Sequence, residues 1–229
     1  AAHRVVEHFT IAANDAAAKA LEAKAAPVVY RVHEQPSREK LLAFREYLAT
    51  QGKKFALGQV ITPGLFNRML KDISDPAEKA LIMEAVLRSQ TQAFYGPQNA
   101  GHFGLSLGSY AHFTSPIRRY ADLLVHRALI DAMGAGAGGL GDTDPDTVQR
   151  LAEQTSTFER RAMLAERDAL DRFTAIFLQD QVGGQFAARI SGITRFGMFV
   201  ALAETGAKSA ATVNRMTWLD CSPVAVEAE

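Results

Sequence analysis

The stretch that most constrains this chain runs from residue 110 to residue 127 and has the sequence YAHFTSPIRRYADLLVHR. In its second half apolar residues recur at spacings of three and four, as on the buried face of a helix. Ser115 is a favoured N-cap residue, and Pro116 suits the first helical position. The pattern therefore predicts a helix that begins at these two residues. Its buried stripe would consist of Ile117, Tyr120, Ala121, Leu124, Val125, Ala128, Leu129 and Met133.

Two cations, Arg118 and Arg119, fall in the first turn of that predicted helix. A helix N-terminus carries partial positive charge, so a cation there is disfavoured by about 0.3–1 kcal/mol. Free backbone N–H groups, the hydroxyls of Thr114 and Ser115 and two guanidinium groups would converge there. This convergence favours the binding of an anion such as phosphate. The alternative is that the arginines extend into solvent or pair with carboxylates such as Asp122.

The segment HFTSPIRRYADLLVHR resembles the signature of the ribonuclease II and ribonuclease R family. Members of that family are processive 3′-to-5′ exoribonucleases with an RNB catalytic domain. Further segments agree with the family in the same order, at residues 6–14, 30–36, 101–107, 159–168 and 189–200. The resemblance covers residues 1 to about 206. It implies the C-terminal half of the catalytic domain, followed by the start of the family's OB-fold RNA-binding domain.

We therefore expect an α+β fold in two parts. Residues 1–182 would form the mostly helical C-terminal portion of an RNB domain, and residues 183–229 the first strands of a partial OB-fold β-barrel. Alternating apolar residues predict one strand from residue 185 and a second over 196–202, with the chain turning at Gly192. After about Gly206 the family pattern fails, which a truncated, rearranged or frameshifted tail would explain.

Periodicity and capping residues predict most of the first part as helical. The predicted helices cover residues 1–24, 37–48, 63–73, 76–91 and 145–182. Thr62 and Asp75 are each followed by proline, which is typical of a helix start. The first and the last of these helices carry long apolar stripes that we expect to be buried. Residues 103–107 alternate instead, which indicates a short strand or an extended loop.

Two motifs imitate ligand sites. The glycines of 133–141 follow a helix rather than joining a strand to a helix, so they indicate a flexible surface loop and not a nucleotide-binding fingerprint. Acidic residues between 142 and 153 imitate a calcium-binding loop, but Pro145 interrupts them and the sixth position is Thr147 rather than the required glycine. Asp144 is better explained as the N-cap of the helix that follows.

Composition limits the classes of partner. Lysine plus arginine equals aspartate plus glutamate at 25 each, so no overall basic charge favours nucleic acid, and any such charge must be local. The one cysteine in the sequence, Cys221, cannot form a disulfide within the chain and fits a reducing compartment. The sequence contains no apolar run of membrane-spanning length and no charged-then-apolar leader. We expect a soluble, cytoplasmic chain that does not bind a membrane.

The resemblance also implies roles for single residues. Arg118 matches the family's catalytic arginine, and Glu166 matches an acid near the 3′-terminal nucleotide; for Glu166 the alternatives are a solvated position or an arginine partner. The predicted RNA-binding residues are Glu7, Asn14, Tyr110, His112, Thr114, Ser115, Arg119, Arg189, Phe196 and Phe199. In an OB-fold hairpin the two phenylalanines would stack on bases, although at least one of them could belong to the core.

The implied activity is hydrolysis of single-stranded RNA from its 3′ end to nucleoside 5′-monophosphates, with Mg²⁺ as cofactor. Metal-assisted hydrolysis requires clustered carboxylates, which in the family precede the matched region. We assign no metal ligand in this chain and expect it to be inactive alone. We predict part of a ribonuclease R-like exoribonuclease. The alternative is an RNA-binding or scaffolding fragment that lacks the metal-binding aspartates.

Overall fold

The computed structural model describes residues 2–58, 60–181, 184–194, 197–203, 206, 208–211, 216–217 and 224–227. The chain divides into two compact units, Ala1–Glu159 and Arg160–Glu229. The first unit is mostly helical and the second contains a five-stranded sheet, so the α+β class is confirmed. The predicted domain boundary at residues 182 and 183 stays a prediction.

The first unit consists of helices and one short β-ribbon. In chain order its elements are α1 (Ala2–Ala23), β1 (Tyr30–Val32), α2 (Arg38–Thr50), α3 (Pro63–Lys71), α4 (Pro76–Ser89), β2 (Phe94–Gly96), α5 (Tyr120–Met133) and the first half of α6 (Pro145–Leu178). β1 and β2 pair antiparallel, with Val32 opposite Phe94. The helices predicted over 37–48, 63–73 and 76–91 are therefore confirmed.

Side-chain caps explain two of these helix starts. Ser37 accepts a hydrogen bond from the backbone N–H of Lys40, and Asp75 accepts from the N–H groups of Ala77 and Glu78. Thr62 makes no side-chain cap bond, although a proline follows it in the same way. Proline alone therefore sets the start of α3, whereas carboxylate and proline act together at α4.

Three clusters of buried apolar side chains hold the first unit together. One joins α1, β1 and α5, a second fills the space between α2, α3 and α4, and a third joins α5 to the start of α6. Representative members are Leu21, Val32 and Val125 in the first cluster, Phe44, Phe66 and Ile82 in the second, and Leu124, Val148 and Ala152 in the third. Because α5 belongs to two clusters, the loop that leads into α5 is fixed at its C-terminal end.

Two apolar stripes that were predicted to be buried along the whole helix are buried over only part of it. In α1 the side chains of Val5, Val6 and Phe9 are 53, 65 and 73% exposed, and burial begins only at Asn14. In α6 the buried residues are Val148, Ala152 and Ser156, while Phe158 and Phe173 are exposed. Periodicity identifies the face of a helix that could be buried. It does not show that another part of the same chain covers that face.

The start of α5 also differs from the prediction. The residues from Ser115 to Arg118 form a turn in which the Ser115 carbonyl accepts hydrogen bonds from the N–H groups of Arg118 and Arg119. The helix begins at Tyr120 with Arg119 as its N-cap residue. Proline at the second position of a turn has the same φ as proline at a helix start, so Pro116 fits both. Ile117 projects from this turn and is fully exposed, and Tyr120 and Met133 are about half exposed. The prediction that these three residues are buried is therefore wrong.

The segment 103–107 is neither a strand nor an extended loop. Phe103–Leu105 forms one turn of 3₁₀-helix, and Ser106 follows in the left-handed conformation with φ 57°. The N–H of Leu105 donates to His102 Nδ1, and the N–H of Gly104 donates to His33 Nδ1. Two imidazoles therefore hold this turn in place.

The second unit contains β3 (Gln185–Thr194), β4 (Gly197–Leu202), β5 (Lys208–Ala211), β6 (Met216–Thr217) and β7 (Val224–Glu227). Every pairing is antiparallel, and the strand order is β5-β4-β3-β7-β6. Gly192 does not turn the chain, because β3 continues to Thr194 with a register shift between Ile190 and Gly192. The sequence revealed only the first two strands. An OB-fold stays a prediction.

The glycine-rich loop after α5 is held by side chains of α5 itself. Arg127 donates from Nη2 to the Gly139 carbonyl at 2.9 Å, and Asp131 accepts from the Gly141 N–H at 2.6 Å. Asp144 then caps α6 by accepting from the N–H and the hydroxyl of Thr147, as expected. Among the described residues, no helix is both long enough and apolar enough to cross a membrane.

Candidate functional site

The predicted site residues divide between the two units. Glu7, Asn14 and the residues from Tyr110 to Arg119 lie in the first unit, whereas Glu166, Arg189 and Phe199 lie in the second. Phe196 lies outside the described residues. Glu166 and Arg189 are exposed, and Phe199 on β4 is 47% exposed. The roles predicted for the residues of the second unit stay predictions.

The corner formed by residues 110–119 is tied to α1 by one buried amide. Asn14 is 1% exposed, and its Oδ1 accepts hydrogen bonds from the N–H groups of Phe113 at 2.8 Å and Thr114 at 3.1 Å. Its Nδ2 donates to the hydroxyl of Tyr110 at 2.9 Å. Asn14 therefore connects three residues of this corner to a helix 96 or more positions earlier in the chain.

Glu7 lies on the same face of α1 as Asn14, since seven residues make two helical turns. The separation along the helix axis is about 10 Å at 1.5 Å per residue. Glu7 is exposed, whereas Asn14 is covered by the corner. The arrangement is compatible with Glu7 contacting a ligand beyond the edge of the corner, as the resemblance implies.

A second buried group, Asp122, holds the corner from the side of α5. Its side chain is fully buried, and Oδ1 accepts hydrogen bonds from the Ser115 N–H at 2.7 Å and from Arg119 Nη2 at 2.8 Å. The N–H groups of Phe113, Thr114 and Ser115 are therefore all bonded to side-chain oxygens. The N–H groups of Arg118 and Arg119 are bonded to the Ser115 carbonyl. The expectation that free backbone N–H groups would bind the anion is wrong at all five positions.

The two arginines have different surroundings. Arg119 pairs with Asp122, which is the alternative that the sequence left open, and its side chain is 21% exposed. Arg118 is exposed, and the contact of its Nη2 with Ser115 Oγ is long, at 3.4 Å. Arg118 can therefore reorient toward a ligand, whereas Arg119 is held by a charge-assisted bond.

Three buried polar atoms of this corner lack a hydrogen-bond partner within the part of the chain that the structure describes. They are Thr114 Oγ1, Arg119 Nε and Asp122 Oδ2. A buried hydroxyl without a partner costs about 1–3 kcal/mol, so native proteins keep few of them without a reason. Thr114 Oγ1 therefore keeps an unused hydrogen-bonding capacity among the described residues, one position before Ser115, whose hydroxyl contacts Arg118.

Histidines and tyrosines form the wall behind the corner. Rings contact one another in the order Tyr95, His112, Tyr110, His102 and His33, with centroid separations between 5.0 and 5.7 Å. Tyr95 Oη and His112 Nδ1 are 2.9 Å apart and share a hydrogen bond. Sequence reasoning named Tyr110 and His112 but missed the other three, because no local pattern places residues 33, 95 and 102 beside them.

The two central histidines of this wall are neutral at physiological pH. Burial, together with the positive charges of Arg119 and Arg31, lowers the pKa of His112 to about 3. Burial, together with the neighbouring His33 and Arg31, lowers the pKa of His102 to about 4. Neither imidazole can contribute positive charge to a phosphate site, so the charge at this corner comes from arginine.

Tyr95 and Arg31 connect the wall to α6. The Arg31 guanidinium lies 4.6 Å from the centre of the Tyr95 ring, and its Nη1 is 2.6 Å from Glu159 Oε2. The N–H of Tyr95 donates to the buried hydroxyl of Ser156. Burial raises the pKa of Tyr95 to about 12, so its hydroxyl stays protonated. These contacts tie the wall to the first half of α6.

Comparison with known proteins gives the class to which this arrangement belongs. The family model described as the RNB domain matches residues 1–134, which contain the whole corner. The chain therefore belongs to the RNB-domain family, as the resemblance indicated. The family match ends in the loop that follows α5, before α6 begins.

Named relatives agree with this assignment. The chain is 39% identical over 209 residues to Ribonuclease R of Escherichia coli (strain K12), covering 88% of this chain and 26% of that protein. It is 38% identical over 218 residues to Ribonuclease R of Aquifex aeolicus (strain VF5), covering 94% of this chain and 30% of that protein. The chain thus spans about a quarter to a third of the length of these relatives.

A solved structure shows the same fold. RNase R of Mycoplasma genitalium, in complex with ribose-methylated single-stranded RNA, superposes with a TM-score of 0.81 at 26% identity. The match covers 98% of this chain and 38% of that one.

Proposed function

We propose that this chain is part of a ribonuclease R-like 3′-to-5′ exoribonuclease, and that the corner at residues 110–119 binds a phosphate of single-stranded RNA near the 3′ end. The observation that supports it is the exposed Arg118, which makes a long contact with Ser115 Oγ, in the same corner as a Thr114 hydroxyl that has no partner among the described residues. A guanidinium supplies five donors in a planar fork that fits two phosphate oxygens. The named relatives and the RNA-bound neighbour support RNA as the ligand.

In this proposal side chains rather than backbone amides bind the phosphate. Arg118 would stabilise negative charge on the scissile group, because a preorganised donor acts where charge develops in the transition state. The hydroxyls of Thr114 and Ser115 would fix the position of the same phosphate. Such contacts do not depend on base identity, so they suit an enzyme that acts on any sequence.

The residues that the structure describes do not fit a magnesium site. Across the described ranges no group of three or more histidine, cysteine, aspartate or glutamate side chains could hold a metal ion. We propose that the Mg²⁺ ligands of the intact enzyme lie outside this chain. Here the chain would bind and orient RNA while the metal, when bound by other residues, supplies an activated water.

The alternative function is a non-catalytic RNA-binding or scaffolding role. Both functions need the corner to bind RNA, and they differ in whether nucleotide is released once the missing carboxylates are present. RNA binding by the chain itself is therefore the first property to measure.

The test is to measure, by fluorescence anisotropy, how the affinity of the chain for a short single-stranded RNA depends on salt concentration. Each neutralised phosphate contributes a slope of about −0.7 to a plot of log K against log salt for single strands. Arg118→Gln should reduce the magnitude of the slope by about 0.7. Arg45→Gln, which removes the same charge from an exposed position on α2, should leave the slope unchanged. Equal slopes for the two variants would refute the phosphate contact.

A further inference from the structure

The role of the second arginine follows from its partner. Arg119 lies 2.8 Å from a carboxylate that is fully buried, and the same carboxylate oxygen holds the N–H of Ser115. Among the described residues Asp122 makes no other ion pair, so Arg119 is the cation that neutralises it. A buried carboxylate is stable only when it is paired and hydrogen-bonded.

The unpartnered atoms of this pair explain one another. Nε–H and Nη2 lie on one edge of a guanidinium, and Oδ1 and Oδ2 belong to one carboxylate. A bidentate pair has two parallel bonds, and one of them is formed, from Nη2 to Oδ1. The atoms of the second bond, Nε and Oδ2, are both buried and have no partner in the described part of the chain. A bidentate pair between the two groups would satisfy both atoms without a further partner. The donors on this edge of Arg119 are thus directed at Asp122.

We infer that Arg119 and Asp122 are positioning residues for the proposed phosphate site, and that Arg118 alone makes the ionic contact. Asp122 fixes the Ser115 N–H and thereby the turn that carries Arg118. Arg119 neutralises Asp122, so that a negative carboxylate next to the site does not repel the phosphate. Of the two adjacent arginines, Arg118 consequently binds the phosphate and Arg119 stabilises the structure. This inference rests on the proposed phosphate contact of Arg118.

A second substitution at Asp122 shows whether Arg119 positions the site or contacts the phosphate directly. Arg119→Gln leaves the Asp122 charge unpaired beside the site, so RNA affinity should fall by about tenfold or more, because a like charge next to the phosphate opposes binding. Adding Asp122→Asn removes that charge while its amide oxygen can still accept from Ser115 N–H. The double variant Arg119→Gln, Asp122→Asn should regain affinity to within about threefold of the wild-type chain, with the wild-type salt slope.

Direct contact gives the opposite result. If Arg119 binds phosphate, the double variant stays as weak as Arg119→Gln and its salt slope falls by about 0.7. Arg118→Gln with Asp122→Asn is the matched control, which should show no recovery. If Arg118→Gln itself leaves the slope unchanged, the proposed function fails rather than this inference.

A measurement on the wild-type chain avoids any dependence on the folding of the variants. The Nε–H resonances of arginine side chains can be followed by NMR during titration with single-stranded RNA. The resonance of Arg118 should shift with saturation, whereas that of Arg119 should keep its position. A shift of Arg119 as large as that of Arg118 would overturn the assignment.

Discussion

The amide of Asn14 should determine the stability of the whole corner. Asn14→Leu keeps a similar volume but removes one acceptor and one donor, which leaves the N–H groups of Phe113 and Thr114 and the hydroxyl of Tyr110 without partners. A net contribution of about 1 kcal/mol per hydrogen bond gives a loss of about 3 kcal/mol in the free energy of unfolding. For a chain of this size the melting temperature should fall by about 6–12 °C.

The assay is thermal unfolding followed by circular dichroism, together with RNA affinity at fixed salt. Thr10→Val is the matched control: it lies on the same helix and removes a hydroxyl whose one hydrogen bond goes to the Val6 carbonyl on the exposed surface. Its effect should stay within about 0.5 kcal/mol. The reasoning is refuted if Asn14→Leu melts within about 2 °C of the wild-type chain and binds RNA equally well.

Three further outcomes are expected. Asp75→Ala should lower the free energy of unfolding by about 1 kcal/mol, because Asp75 caps two N–H groups of α4, whereas Thr62→Ala should change it by only a few tenths. Equal effects in urea titrations would contradict the difference in capping. Acidification from about pH 6.5 toward pH 4 should lower the melting temperature, because the unfolded chain takes up protons at His102 and His112 that the folded chain excludes. In His112→Gln this loss should be smaller, and an unchanged pH profile would contradict the burial of a neutral His112. Finally, the pure chain with Mg²⁺ should release no nucleotide from 3′-labelled single-stranded RNA; steady release of monophosphates would show that it contains its own metal site.

The parts of the fold that could be predicted depend on local interactions. Periodicity and capping signals were sufficient to predict α2 over residues 37–48, where the structure has the Ser37 cap and buries Leu41, Phe44 and Leu48. Strands β5 to β7 were missed, because strand pairing depends on distant partners and not on local propensity. The start of α5 was misplaced because Asp122 holds the Ser115 N–H and stabilises a turn where the local sequence is equally compatible with a helix.

The candidate site shows the same limit. The motif around Arg118 identified the corner, and the resemblance supplied Asn14 and Tyr110. Their mutual hydrogen bond, 96 residues apart in sequence, could not be derived from either segment alone. Tyr95 and His102 were not predicted at all, since they reach the wall only through the packing of the β-ribbon and the 3₁₀ turn. Local patterns find the residues of a motif, whereas tertiary contacts determine which other residues support them.

The glycine-rich loop after α5 has a consequence for protein engineering. Its composition is that of a linker, and such segments are usually chosen for peptide insertions, split sites and circular permutation. Here a side chain at Gly139 would overlap the Asp131 carboxylate and displace it from the Gly141 N–H, while Gly134 adopts φ 62° at the end of the helix. Arg127 holds two carbonyls of the same loop. Tags placed at residues 134–141 should therefore be tolerated poorly. The exposed Gly58, where φ is not positive and an added Cβ meets nothing within 4 Å, is the better place to open this chain.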